Sequence, residues 1–159
     1  DGVRYGYRAE GCGCVDELYE KSRSEGFGAE VKRRILMGSF VLSAGYQDAY
    51  YKKALRARDG VCAAFAESFS RFDLVLTPVA PRTAWKLGRT HADPVELYLE
   101  DVFTVPVNLA GLPALSLPCG QDENGLPVGA QLIAPQFGER TLLGAARALE
   151  RAMEEEGAR

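Results

Sequence analysis

The sequence predicts an α/β fold, with helices packed on a mixed β-sheet, from three observations. Apolar residues recur at helical spacing through most of residues 29–72. Short continuous apolar runs follow at 73–78, 114–118 and 127–133. An amphipathic segment then closes the chain from about Arg140. With 159 residues and 47% hydrophobic content, one substantial core can be buried, so a single compact unit over 1–159 is the default expectation.

The elements follow in order. Asp1-Gly2-Val3-Arg4-Tyr5-Gly6-Tyr7 reads as a strand already in progress and not as a signal peptide, which suggests a chain cut from something longer. Residues 15–25, polar and charged around Leu18 and Tyr19, read as a short exposed helix ended by Gly26-Phe27-Gly28. From Ala29 to Ala44 one stripe carries Val31, Ile35, Gly38 and Leu42, while Leu36 and Phe40 occupy the opposite side; this helix is expected to be central. Tyr46 to Phe72 is a second helical stretch, with Leu55, Phe65 and Phe69 on its apolar side and Lys52, Lys53, Arg56 and Arg58 on a solvated face. A short strand over 73–78 stops at Pro78 and Pro81.

Asp93, Pro94 and Glu96 then make a helix start: cap, first-turn proline and an acid three residues on. Residues 114–118 and 127–133 are two strands joined through the turn Glu123-Asn124-Gly125. The last helix carries Leu142, Leu143, Ala146, Leu149 and Met153 on its apolar side and a frayed acidic tail.

Composition excludes several classes. A net charge of −3 without a basic block gives no footprint for direct nucleic-acid binding. No apolar stretch reaches the roughly 18 residues a membrane span needs. Cys12, Cys14, Cys62 and Cys119 lack paired ligand spacing and His91 is the only histidine, so the cysteines are expected to be reduced and structural, and the protein cytoplasmic. There is no Gly-x-Ser-x-Gly elbow, His-rich metal site or phosphate loop, and Ser39, Ser43 and Ser116 have no recognisable activating partner. On these grounds the chain binds something and does not evidently transform it.

Two residues stand out as ligand contacts. Arg34 sits in the apolar run 31–42, beside Gly38 and Gly45. Asp101 ends the short helix and lies on its side with Pro94, Leu97 and Tyr98, whereas Glu96 and Glu100 fall toward solvent. A charge placed among apolar residues needs a partner, and these two would suit a ligand carrying both signs. A salt bridge between them is the plainer alternative. Asn108 and Gln131 are expected to bond backbone, and Thr104 is a further contact candidate.

The block from Ser22 through Glu25-Gly26-Phe27-Gly28 to Gly38, together with Tyr46-Gln47-Asp48-Ala49-Tyr50-Tyr51, Thr77-Pro78-Val79-Ala80-Pro81, Asn108-Leu109-Ala110-Gly111-Leu112-Pro113 and Pro127-Val128-Gly129-Ala130-Gln131-Leu132, resembles the amidase-signature family. Within it the likeness is to the A-subunit branch of the aspartyl/glutamyl-tRNA(Asn/Gln) amidotransferases, and it runs over essentially the whole chain. The resemblance implies the C-terminal half of the amidase-signature fold, as a single-domain fragment over 1–159.

That branch uses a lysine, two serines and a Gly/Ser-rich signature, none of which is present, so no catalytic residue is expected here and the piece alone should be inactive. It further implies a ligase-type role: glutamine is hydrolysed for ammonia, which a B subunit uses with ATP and Mg to amidate misacylated tRNA, braced by a C subunit in a heterotrimer. By resemblance Arg34 grips the glutamine α-carboxylate and Asp101 its α-ammonium. No cofactor is expected in this chain itself. The rivals are a non-catalytic assembly module docking the B and C subunits, and another amidase-signature hydrolase of small amides.

Overall fold

A computed structural model describes residues 4–88 and 94–157. The chain divides into two compact units, Asp1–Leu55 and Arg56–Arg159. The proposed cap Asp93 and the lone His91 lie outside the described residues.

The first unit is helical. Helix α1 (Val15–Gly26) starts at Cys14, whose sulfur accepts from the Glu17 amide at 3.5 Å. The segment before it is tied down rather than paired as a strand. Tyr7 Oη donates to Glu25 Oε2 at 2.5 Å, and the Ala9 amide donates to the buried Ser22 Oγ at 3.0 Å. Where a strand was expected, residues 4–7 are bends and irregular chain.

Helix α2 (Ala29–Leu42) follows after Gly28. It buries none of its residues, and Leu36 is 71% exposed, so the central position expected from its two apolar sides is not what this chain provides. Periodicity reports which faces are apolar; burial also requires something to pack against them. After Gly45, at φ 95°, a π-helical turn at Gln47–Tyr51 leads into α3 (Lys52–Phe69), which begins at the end of the first unit and runs into the second.

The second unit holds the sheet. Strands β1 (Val75–Pro78), β2 (Ala114–Gln121) and β3 (Pro127–Ile133) lie in the order β1-β3-β2. The α/β class holds, but the described strands pair antiparallel throughout, where a mixed sheet was expected. The tight turn between β2 and β3 leaves that pair no other choice. The register shifts between Pro118 and Gly120, and β2 continues to Gln121, three residues beyond the 114–118 run.

Helix α6 (Glu139–Gly157) packs on the sheet. Leu117, Leu132, Ala134, Leu142 and Ala146 form the core, with Leu74, Leu115 and Leu149 against it. Leu143, one residue round the helix from Leu142, points away and is exposed. Between β1 and β2 come the short helices α4 (Pro94–Leu99) and α5 (Val105–Ala110).

Candidate functional site

Arg34 belongs to the first unit and Asp101 to the second, and each has its own neighbours. Arg34 lies in the second turn of α2 with 58% of its side chain exposed. Its Nε donates to Glu30 Oε1 at 2.9 Å, one helical turn back. Arg33 holds the other oxygen, with Nη2 at 2.6 Å and Nε at 3.0 Å from Glu30 Oε2. The Arg34 and Arg33 guanidinium groups hold the Glu30 carboxyl below its ordinary range. An exposed one-turn pair between flexible side chains is a weak hold, so a carboxylate ligand able to take paired donors could displace it.

Asp101 sits in the turn linking α4 to α5, and its side chain is exposed. Its backbone carbonyl does structural work, accepting from the Thr104 amide at 3.1 Å, the Val105 amide at 3.0 Å and Thr104 Oγ1 at 3.3 Å. Thr104 therefore touches the backbone of Asp101, in keeping with its proximity in sequence. The neighbouring acid reverses expectation: Glu100, assigned to solvent by helical spacing, is the one turned in, with 12% of its side chain exposed and Oε1 3.0 Å from Arg82 Nε. Helix α4 stops at Leu99, so the 100° step that separated the two acids no longer applies to either.

The α5 segment after Asp101 is fixed at both ends. Asn108 Nδ2 donates to Thr104 O at 2.9 Å, the backbone bond expected for that amide. Gly111, at φ 68°, ends the helix in the left-handed conformation that glycine adopts without strain. Arg58 Nε donates to Leu109 O at 2.7 Å, satisfying a carbonyl the helix leaves open, and Val107 anchors the segment as a buried residue.

Beneath the Asp101 turn lies Gln131 of β3, only 5% exposed. Its Nε2 donates to Thr77 Oγ1 on β1 and to Phe103 O in the turn, both at 3.1 Å. Beside Phe103 an open groove of about 590 Å³ is lined by Pro78, Val79, Pro81, Arg82, Thr83 and Gly129. Spacing alone identified neither the Arg82–Glu100 pair nor the link from Gln131 to Phe103.

Ser39 Oγ donates to Ile35 O at 3.0 Å and Ser43 Oγ to Phe40 O at 2.7 Å, so both hydroxyls serve their own helix. Among the described residues no three His, Cys, Asp or Glu side chains gather as a metal site, and no helix is long and apolar enough to cross a membrane. The four cysteines are free thiols.

Residues 3–143 match the family described as Amidase. The chain belongs to the amidase family. Among amidase relatives, the A subunit of glutamyl-tRNA(Gln) amidotransferase from Agathobacter rectalis is 54% identical over 154 residues, or 97% of this chain and 31% of its own length. The protein of the same name from Parvibaculum lavamentivorans is 57% identical over 152 residues, again 31% of its own length. The chain thus spans about a third of the relatives it matches.

Solved amidase structures agree. The A subunit of glutamyl-tRNA(Gln) amidotransferase from Thermotoga maritima superposes on 80% of this chain and 28% of its own, with a TM-score of 0.58 at 46% identity. A crystal structure described as an amidase reaches a TM-score of 0.67 at 26% identity, over 85% of this chain and 32% of its own. The arrangement of helices and sheet is that of the amidase fold.

Proposed function

We propose that these 159 residues are the C-terminal part of the A subunit of a tRNA-dependent amidotransferase. In that reading they supply the residues that recognise glutamine, which the complete subunit hydrolyses to release ammonia. The observation that carries the proposal is identity above one half to glutamyl-tRNA(Gln) amidotransferase A subunits over nearly the whole chain. In this reading the lysine and serines that do the chemistry belong to the remainder of the subunit, and the isolated piece is inactive. B and C subunits complete a cytoplasmic heterotrimer, in which Glu-tRNA(Gln) or Asp-tRNA(Asn) is amidated by the B subunit with ATP and Mg.

Arg34 takes the glutamine α-carboxylate and Asp101 the α-ammonium. A planar guanidinium suits a carboxylate, and a carboxylate accepts several bonds from an ammonium. Together they would orient the side-chain amide for attack. Both side chains are exposed within this chain, and charges grip firmly only where water is kept out; the proposal assigns that enclosure to the rest of the subunit.

The test is glutamine-dependent ammonia release by the full-length protein assembled with its partners. Arg34→Ala and Asp101→Ala should each lower kcat/KM by ~1.5–3 kcal/mol, roughly tenfold to a hundredfold. Parental rates in both variants would end the recognition reading. The exposed apolar residues of α2, Leu36 and Met37 among them, favour a second reading as an assembly module. Under that reading Leu36→Asp weakens complex formation while Arg34→Ala leaves ammonia release intact.

A further inference from the structure

We propose that Gln131 is a positioning residue for ammonium recognition: its buried amide ties the Asp101 turn to the sheet and so sets where the Asp101 carboxylate stands. The inference rests on the reading of Asp101 as the α-ammonium ligand. Gln131 lies at the centre of β3, directly opposite Thr77 on β1 in the strand register. One of its N–H groups is taken by Thr77 Oγ1 and the other by Phe103 O, each at 3.1 Å. A carbonyl can only accept, so the atom facing Phe103 must be the amide nitrogen and not the amide oxygen.

Phe103 is two residues beyond Asp101, and the Asp101 carbonyl in turn receives the Thr104 and Val105 amides that begin α5. The turn is therefore held on two sides: onto α5 through the carbonyl of Asp101, and onto the strand core through the carbonyl of Phe103. Leu132 and Ile133, the next residues of β3, are buried, which makes the strand a fixed base for the second tie. Asp101 itself is exposed, so the backbone that carries it sets the position from which its carboxylate reaches. A side chain that grips through one charge loses binding when displaced by about an ångström, and this bond prevents such a displacement.

The experiment measures ammonia release by the full-length protein, assembled with its partners, from two substrates: glutamine, and glutaramate, which is glutamine without its α-amino group. Gln131→Glu keeps the size of the side chain but replaces both donors with a carboxylate that repels the Phe103 carbonyl. It should raise KM for glutamine by about tenfold or more while changing glutaramate turnover by less than about twofold. Gln131→Met, which removes the donors without adding a charge, should shift the ratio between the two substrates in the same direction. If the Glu variant does not fold, the Met variant decides on its own.

Equal losses on both substrates, or no loss on either, would show that Gln131 only fills the core, and the inference falls. Asp101→Asn is measured in parallel. If it leaves the glutamine-to-glutaramate ratio unchanged, the assignment of Asp101 is what fails. If it collapses the ratio while the Gln131 variants do not, the fault lies with Gln131 alone.

Discussion

At Gly129 the sheet comes so close to the segment following β1 that an added Cβ would clash with the Val79 side chain unless that side chain shifts. The Val79 amide donates to Gly129 O at 3.1 Å, carrying the β1–β3 pairing one step past Pro78. A Cβ built on Gly129 would stand 2.7 Å from Val79 Cγ1 and 3.4 Å from Val79 Cβ. Gly129→Ala should therefore lower the unfolding free energy by ~1–3 kcal/mol through overpacking. Val79→Ala removes the clashing atom and leaves only an ordinary contact, so the double variant should recover much of that loss. Urea unfolding of the four proteins gives the coupling, and strict additivity would mean that the two positions do not interact in this way. The same scale governs the two acids after α4. Which of Glu100 and Asp101 turns inward depends on where the helix stops, and Leu99 is followed by no proline or glycine to mark the spot.

The β2–β3 hairpin shows how a single side chain organises an element. Asp122 Oδ1 accepts from the Asn124 amide at 2.8 Å and the Leu126 amide at 2.9 Å, while Oδ2 accepts from Thr83 Oγ1 at 2.7 Å. Gly125, at φ 78°, lets the turn close. Thr83 first, and then the Leu126 backbone, hold the carboxyl below its ordinary 3.8. A lowered value means the folded state favours the ionised form. This contribution is therefore complete above pH 3.8 and is lost as pH falls through the folded value. Asp122→Asn should flatten the acid limb of stability below that pH, read from Trp85, the single tryptophan, which lies close to Thr83 in sequence. Identical acid limbs would remove Asp122 from the account. Much of this element is legible beforehand, because Asn124-Gly125 between two apolar runs is a turn signal and the α6 stripe is a helix signal. The brace from Gln131 is not legible: its partners lie 54 and 28 residues away, and no local pattern encodes a bond between them. Arg34 and Asp101 draw notice as charges beside apolar runs, yet their exposure here could not be read from those runs, since burial depends on what covers a face.

Across the molecule, buried residues are distributed unevenly, and stability should follow them. The second unit holds Leu117, Leu132, Ile133, Ala134, Leu142 and Ala146, and Ile133 is 1% exposed. Among the described residues of the first unit Ala9 and Ser22 are buried, and α2 contributes none. Helical hydrogen bonds on an unburied helix are held by propensity and exposed pairs such as Arg33 with Glu30, which lend little cooperative strength. Amides open locally with a free energy that tracks this packing. In hydrogen exchange on the 159-residue chain near neutral pH, segment 127–134 should therefore be protected about two orders of magnitude more strongly than segment 29–42. Mass analysis of the peptides covering each segment reads the ratio directly. Equal protection would mean that α2 is buried in solution by a second copy or by surfaces of its own chain, and the assembly reading of its apolar residues would then have to start from that contact. Protection confined to β3 and α6 would leave α2 as an apolar face whose packing partner must come from outside these residues, as the proposed place in a larger subunit requires.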